Sequence, residues 1–197
     1  MGHSKADKAL SRKRILNSAA ARIREVGLDG VSVGELMKSV NLTHGGFYGH
    51  FESRDALIAA ALEQALAESE ATSAAYAGGP GNMTVKAFVN NYLSPAHRDR
   101  PSSGCPMAAL AGEVSPAEPG VRAILSAQLK RSFDLLGEAH GGKGEDAEQF
   151  AVSAWAMMIG ALTMSRVMAG DPEADRVLAL ARKSVLELAA LHSEPEA

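Results

Sequence analysis

The sequence predicts an all-α protein. Aromatic residues are only 5% of the 197 residues, alanine and leucine recur throughout, and clusters of β-branched residues are scarce, so local preferences favour helices over strands. The apolar fraction of 46% is large enough for a substantial core, which argues against disorder. Apolar residues at helical spacing along the chain predict about nine helices.

The first predicted helix, residues 11–26, is basic. Ile15, Ala19 and Ile23 fall on one face at helical spacing, and arginine and lysine residues occupy the other faces. Gly27 is a natural end, because glycine readily adopts the left-handed conformation that often follows a helix. We therefore expect an apolar inner face and a positively charged outer face.

Three further helices are predicted before residue 78. Residues 32–35 (SVGE) have capping-box spacing, in which the serine hydroxyl and the glutamate carboxylate each accept a first-turn amide. A tight turn at residues 41–42 separates that short helix from another one, which Thr43 caps. Residues 53–55 then start a long fourth helix. Two short helices joined by a tight turn after a basic helix are typical of a DNA-binding helix-turn-helix unit.

The rest of the chain predicts five helices, separated by glycine, proline and polar residues. They cover residues 84–93, 106–114, 116–140, 146–168 and 172–191. The glycine-rich residues 78–82 break the chain before them, residues 97–104 are a predicted loop, and the tail from residue 193 should fray. Ser115 and Asp171 are predicted caps, each followed by a proline at the first helical position.

Charge divides the chain into two parts with different expected partners. Up to Asp55 there are nine Lys or Arg against six Asp or Glu, a balance of +3; beyond it there are eleven against seventeen, a balance of −6. The longest uncharged stretch, residues 149–165, is too short and too polar to span a bilayer, so a buried helix and no membrane partner are predicted. A single cysteine excludes an intrachain disulfide and suits the cytoplasm.

Signatures of catalysis and of metal binding are missing from the sequence. Residues 141–144 (GGKG) lack the preceding strand and the following Ser or Thr of a phosphate-binding loop, and Gly-x-Ser-x-Gly does not occur. The six histidines are scattered, which disfavours a metal site. No enzyme activity, metal or cofactor is therefore expected.

The segment 31–57, VSVGELMKSVNLTHGGFYGHFESRDAL, resembles the TetR family of bacterial transcription regulators. The matching residues are Ser32, Val33, Val40, Asn41, Leu42, Phe47, Tyr48, His50, Phe51, Ser53, Arg54 and Leu57. The resemblance implies a homodimer of all-α subunits, each with a DNA-binding head (residues 1–55) and a helical body that binds an effector and dimerises (residues 56–197).

The resemblance also implies which residues of the head meet a palindromic operator. The predicted DNA contacts are Ser32, Thr43, His44, Gly45, Gly46, Tyr48, His50 and Arg54. His44 is the leading candidate for a base contact, and Arg54 for a phosphate near a helix start. Tyr48 is expected to turn its ring inward and offer its hydroxyl to a phosphate. The alternative for Tyr48 and His50 is an ordinary position at the edge of the core.

The glycines of the recognition helix have two open explanations. Gly45 and Gly46 each cost that helix roughly 1 kcal/mol relative to alanine. Either the backbone approaches DNA closely there, or tertiary packing tolerates the glycines. Gly49 removes a further side chain, so part of the specificity is expected to rest on DNA shape.

The body is predicted to bind an apolar or electrophilic effector. Its predicted lining residues are Phe88, Tyr92, Cys105, Met107, Leu110, Leu129, Phe133, Trp155, Met158 and Leu162. Methionine and aromatic residues at helical spacing are also ordinary core residues. Cys105 is either a thiol activated at a helix start or a small buried apolar residue. Small residues along the last two helices permit close helix approach, and these helices are the predicted dimer interface.

Three functions are compatible with the sequence. The first is a repressor that a small molecule releases from its operator. The second is a DNA-binding regulator that activates transcription or has no effector, and the third is an all-α enzyme or carrier. The helix-turn-helix segment disfavours the third.

Overall fold

The computed structural model describes residues 5–76, 84–141 and 144–191. In these ranges the chain is helical and contains no strand, which confirms the predicted all-α class. The α-helices are α1 (Lys5–Val26), α2 (Val33–Ser39), α3 (Arg54–Tyr76), α4 (Val85–Tyr92), α5 (Pro95–Arg98), α6 (Pro106–Val114), α7 (Pro119–His140), α8 (Glu145–Val167) and α9 (Pro172–Leu191), and the 3-10 helices are η1 (His44–Gly49) and η2 (Pro101–Ser103). The predicted break at 78–82 and the tail from 193 lie outside the described residues.

Most of the predicted helix starts and ends are confirmed. Gly27 follows α1 with φ +80°, and Asn41 turns the chain after α2 with φ +58°. The Asp171 carboxylate accepts the Glu173 amide at 2.8 Å at the start of α9. At α2 the Ser32 hydroxyl accepts the Glu35 amide at 3.4 Å. The Glu35 carboxylate lies 3.9 Å from Arg22, an exposed ion pair across to α1.

Four local predictions were wrong. The predicted first helix starts at residue 11, whereas α1 already begins at Lys5. The predicted helix start at Ser115 fails because α7 begins only at Pro119, which is tolerated at the first helical position and not in a helix interior. Ser115 instead continues the end of α6, its amide donating to Ala111 at 3.2 Å. The predicted loop 97–104 contains the end of α5 and η2, because Ser94 caps α5 with Pro95 at its first position. The predicted recognition helix is the 3-10 helix η1.

The described chain forms two compact units. Unit 1 comprises the residues up to Ser69 together with Pro101–Leu125, and unit 2 comprises Glu70–Arg100 together with the residues from Ser126 onward. Helices η2 and α6 therefore cluster with the predicted head, although they lie far beyond residue 55 in the sequence. The predicted division into residues 1–55 and 56–197 stays a prediction.

Unit 1 has an apolar core and one buried ion pair. Its fully buried residues include Ile15, Ile23, Met37 and Leu57. The side chain of Arg24, only 2% exposed, places a guanidinium nitrogen 2.6 Å from the Glu68 carboxylate, and a second guanidinium nitrogen donates to the Ala65 carbonyl at 3.3 Å. This pair joins the end of α1 to the middle of α3.

Unit 2 is built around α8, which packs along α9. The residues of α8 that face the interior include Phe150, Ala154, Met158 and Leu162, all fully buried. Among the described residues, α8 is the one helix long and apolar enough by length and composition to cross a membrane, a test that buried core helices also pass. Its buried face agrees with the predicted core helix.

Candidate DNA interface

The recognition helix η1 is held by one cap and one buried ring. The Thr43 hydroxyl accepts the Gly46 amide at 3.3 Å, which confirms Thr43 as the cap. Phe47 is 2% exposed and stacks on Phe51 with ring centroids 5.7 Å apart. Burial of Phe47 fixes η1 to the core, and its neighbour Tyr48 is exposed.

The outer face of η1 carries the two side chains predicted to reach DNA. His44 is exposed, and Tyr48 is 69% exposed with its ring set edge-on against Phe47 at 5.3 Å. The expectation that the Tyr48 ring packs inward was therefore wrong. The side chain is mostly exposed, because the 3-10 repeat places the neighbouring Phe47 in the core instead.

The three glycines of η1 differ in the atoms that surround them. A methyl group at Gly46 would lie 3.4 Å from the Thr43 hydroxyl and 3.8 Å from Met37, which are ordinary van der Waals contacts. A methyl group at Gly45 or Gly49 would meet nothing within 4 Å. Internal packing therefore does not require glycine at these two positions, and close approach to DNA stays a prediction.

Basic residues of α1 lie beside the end of η1. Arg12 donates to the His50 carbonyl at 3.3 Å, and its guanidinium carbon sits 4.4 Å from the centroid of the Phe51 ring. Burial, together with the positive charges of Lys8 and Arg12, lowers the pKa of His50 below its ordinary value of 6.5. The imidazole is therefore neutral near pH 7 in the free protein, beside two cations that suit a phosphate.

Arg54 binds the turn between α1 and α2. Its Nη2 donates to the Leu28 carbonyl at 2.5 Å and its Nε to the Val31 carbonyl at 3.3 Å, while the Asp29 carboxylate lies 4.0 Å away. These bonds orient the guanidinium through two of its five N–H donors. The phosphate contact predicted for Arg54, like the DNA contact predicted for Ser32, stays a prediction.

The predicted effector residues fall in both compact units. In unit 1, Cys105, Met107 and Leu110 are 3%, 4% and 0% exposed. Burial of Cys105 favours its interpretation as a small apolar core residue over that of an activated thiol. Its backbone starts α6 without a side-chain capping bond.

In unit 2 the predicted effector residues include an aromatic cluster. Trp155 lies 5.5 Å from Phe88 and 5.3 Å from Tyr92, measured between ring centroids, and its indole N–H donates to the Ser132 carbonyl at 2.9 Å. Met158 and Leu162 are fully buried, and Leu129 is half-buried. An effector contact for any of these residues stays a prediction.

A cavity of about 430 Å³ lies along α7 and the first turn of α8 in unit 2. Phe133 lines it together with charged side chains. Its charged lining residues are Lys130, Asp134, Glu138 and Glu148. This lining differs from the apolar pocket that the sequence predicts, and within the described ranges no cluster of His, Cys, Asp and Glu suits a metal ion.

Sequence reasoning missed two features of the head. Arg12 was expected only as part of the basic outer face of α1, whereas it also links α1 to the end of η1. Its spacing of four from Lys8 is the signal that puts both residues on one helical face. Glu113 of α6 accepts the Leu28 amide at 2.7 Å, a contact across 85 residues that no local pattern announces.

Two family models match the chain. One, described as bacterial regulatory proteins of the tetR family, matches residues 15–61. The other, described as a tetracyclin repressor-like C-terminal domain, matches residues 81–181, which is about half of the chain. None of the curated proteins matches this chain significantly in sequence.

Solved structures share the fold at low sequence identity. A TetR-family regulator from Cytophaga hutchinsonii is 22% identical, with a TM-score of 0.76 over 95% of this chain and 98% of that one. One from Chloroflexus aurantiacus is 23% identical, with a TM-score of 0.79 over 96% and 97%. One from Streptomyces coelicolor is 24% identical, with a TM-score of 0.73 over 98% of each chain.

The two family models cover both the helix-turn-helix and the helices that follow it, and the fold agrees over nearly the whole chain. The chain therefore belongs to the TetR family of DNA-binding transcriptional regulators.

Proposed function

We propose that this regulator is a cytoplasmic repressor that binds a palindromic operator as a homodimer and is released by a small, apolar effector. The observation that carries the proposal is the recognition helix η1, anchored by buried Phe47 and presenting His44 and Tyr48 to solvent. An exposed helix of this kind beside a basic helix suits a major groove flanked by phosphates.

Within the head each predicted contact has a distinct role. His44 reads a base edge through an imidazole nitrogen, because an exposed side chain at the start of η1 is well placed for the groove floor. Tyr48, Lys8 and Arg12 contact phosphates on either side. With glycine at Gly45 and its neighbours, the number of direct base contacts is small, so DNA shape supplies part of the specificity.

Dimerisation is proposed through α8 and α9. Small residues of α8, such as Ala151 and Ala154, are buried within unit 2, so they do not carry this proposal. A separate outward face remains apolar, with Val152, Met164 and Val167 at 40%, 53% and 83% exposure. Apolar residues spaced along one face of a helix favour burial against a second copy.

An apolar effector is proposed from the side chains of the body. Trp155, Tyr92 and Phe88 form a buried aromatic cluster in unit 2, where Met158 is also buried. Aromatic and methionine side chains adapt to apolar ligands of varied shape. The proposal predicts that such a ligand lowers operator affinity.

The test begins with selection of duplexes from a random library by the full-length protein. We expect a palindrome whose half-sites lie about one helical turn, or a multiple of it, apart, and an affinity that falls steeply with salt. A reporter gene behind that palindrome should be silenced by the protein and restored by an apolar compound. Activation of the reporter, or silencing that no compound relieves, would contradict the repressor proposal and favour the alternative regulator.

Oligomeric state is tested with a matched pair of variants. Met164→Glu places a charge on the proposed dimer face, whereas Leu135→Glu places one on α7 at a residue that is 44% exposed. In sedimentation we expect Met164→Glu to shift the protein toward monomer and Leu135→Glu to leave it dimeric. A dimer that survives Met164→Glu and dissociates with Leu135→Glu would place the interface elsewhere.

A further inference from the structure

The turn between α1 and α2 is held at Leu28 from two opposite sides. The Leu28 carbonyl accepts Arg54 Nη2 at 2.5 Å, a bond within the head. The Leu28 amide donates to Glu113 Oε2 at 2.7 Å, and Glu113 belongs to α6, a helix outside the predicted head. One residue thus carries two polar links of the turn, and one of those links comes from a distant part of the sequence.

The hydrogen bonds that end α1 do not use the Leu28 amide. The Gly27 amide bonds back to the Ile23 carbonyl at 3.0 Å, which closes the helix in the left-handed capping pattern. A helix can close further by bonding the next amide to its last turn, but here the Leu28 amide goes to Glu113. The acceptor is charged, and bonds to charged acceptors are the stronger ones.

Gly27 provides the space for the carboxylate. A methyl group at Gly27 would lie 2.5 Å from each oxygen of Glu113, and its φ of +80° is a conformation that other residues adopt only with strain. The glycine that ends α1 therefore serves a second purpose, since it lets a side chain of α6 reach the backbone behind it.

We propose that Glu113 is a positioning residue for DNA binding: its carboxylate, seated against Gly27, fixes the α1–α2 turn and with it the direction of α2. Three residues beyond Leu28 the chain reaches Val31, which Arg54 also binds, and then Ser32, the cap of α2. Helix α2 contacts η1. When the bond between Leu28 and Glu113 is lost, the direction of α2 is no longer fixed, and η1 meets the major groove in a different orientation.

The sign of the effect separates this role from simple electrostatics. A negative charge near DNA weakens binding, so removal of an ordinary surface acid leaves affinity unchanged or raises it. Glu113→Ala is expected to lower affinity for the selected duplex by about tenfold, the equivalent of one lost charge-assisted hydrogen bond. Glu113 and Glu118 are both exposed acids, so Glu118→Ala makes the same change of charge and is the control.

The conservative variant supplies the second comparison. Glu113→Gln loses the charge but keeps an oxygen that accepts the Leu28 amide, and we expect its affinity to stay within about threefold of the wild type. Equal affinities for Glu113→Ala, Glu118→Ala and wild type would overturn the proposal. Equal losses for Glu113→Ala and Glu113→Gln would also overturn it, since they would assign the effect to charge.

Two measurements exclude a merely structural effect. Hydrogen exchange of the Leu28 amide in the free full-length protein should accelerate at least about tenfold in Glu113→Ala and little in Glu113→Gln. Gly27→Ala should displace the carboxylate, so adding Glu113→Ala to it should weaken DNA binding no further. Additive losses in the double variant, or an unchanged Leu28 exchange rate, would contradict the proposed contact.

Discussion

The buried ion pair between Arg24 and Glu68 should respond unequally to the loss of its two partners. Arg24 is 2% exposed at its side chain and Glu68 is 35% exposed. Removal of the carboxylate leaves a buried guanidinium without its counter-charge, whereas removal of the guanidinium leaves a carboxylate that water reaches. Glu68→Ala should therefore cost much more stability than Arg24→Met, which replaces the cation with an unbranched apolar side chain.

The magnitude follows from the burial of the two partners. Breaking a buried pair from one side costs about 3–5 kcal/mol, and we expect about 3 kcal/mol for Glu68→Ala, because Arg24 still donates to the Ala65 carbonyl. Arg24→Met is expected to change the free energy of unfolding by less than about 1 kcal/mol, because the substitution removes both the buried charge and the cost of desolvating it.

Urea unfolding at fixed protein concentration, followed by circular dichroism, measures both values. Glu35→Ala is the control, because the Arg22–Glu35 pair is 3.9 Å long and exposed at both side chains, and it should cost less than about 1 kcal/mol. Equal losses for Glu68→Ala and Arg24→Met would refute the argument, since they would mean that the burial of the cation does not determine the cost.

Four further predictions concern single side chains. His44→Ala should relax preference at one base position by about 1–3 kcal/mol and leave binding to random duplex unchanged, as measured by competition binding; equal losses on both would refute base reading. Arg54→Ala should reduce the slope of log affinity against log salt by about one; an unchanged slope would confine Arg54 to the α1–α2 turn. Burial lowers the pKa of His97 below 6.5, so protonation favours the unfolded chain. Stability should hold above pH 6.5 and fall as the pH drops through the lowered value, and His97→Asn should remove that part of the slope. Cys105 is 3% exposed, so a quinone should release the operator equally from wild type and from Cys105→Ser; release confined to wild type would establish a thiol switch.

Local signals in the sequence were sufficient for most helix boundaries. Asp171 with Pro172 predicted the start of α9, and Thr43 predicted the cap of η1. The mistaken start of α7 has a local cause as well, since Pro119 was available in the sequence and outweighs the capping pattern at Ser115.

The contacts of the candidate site were harder to predict, because they join residues far apart in the chain. The two carbonyls that Arg54 binds lie 26 and 23 residues before it, and Glu113 lies 85 residues beyond Leu28. Periodicity assigns a side chain to a face of its own helix and gives no information about which backbone groups of another segment it meets. The grouping of α6 with the head is a tertiary result of this kind.

The open space around Gly45 and Gly49 has a consequence for how such a regulator acquires new targets. A side chain added at either position meets no atom of its own chain within 4 Å, so the head has no steric reason to reject it. Phe47 and Thr43 would continue to anchor and cap the helix, as they do now. After gene duplication, single substitutions at these two glycines would let one copy explore different operators while the other keeps the original one.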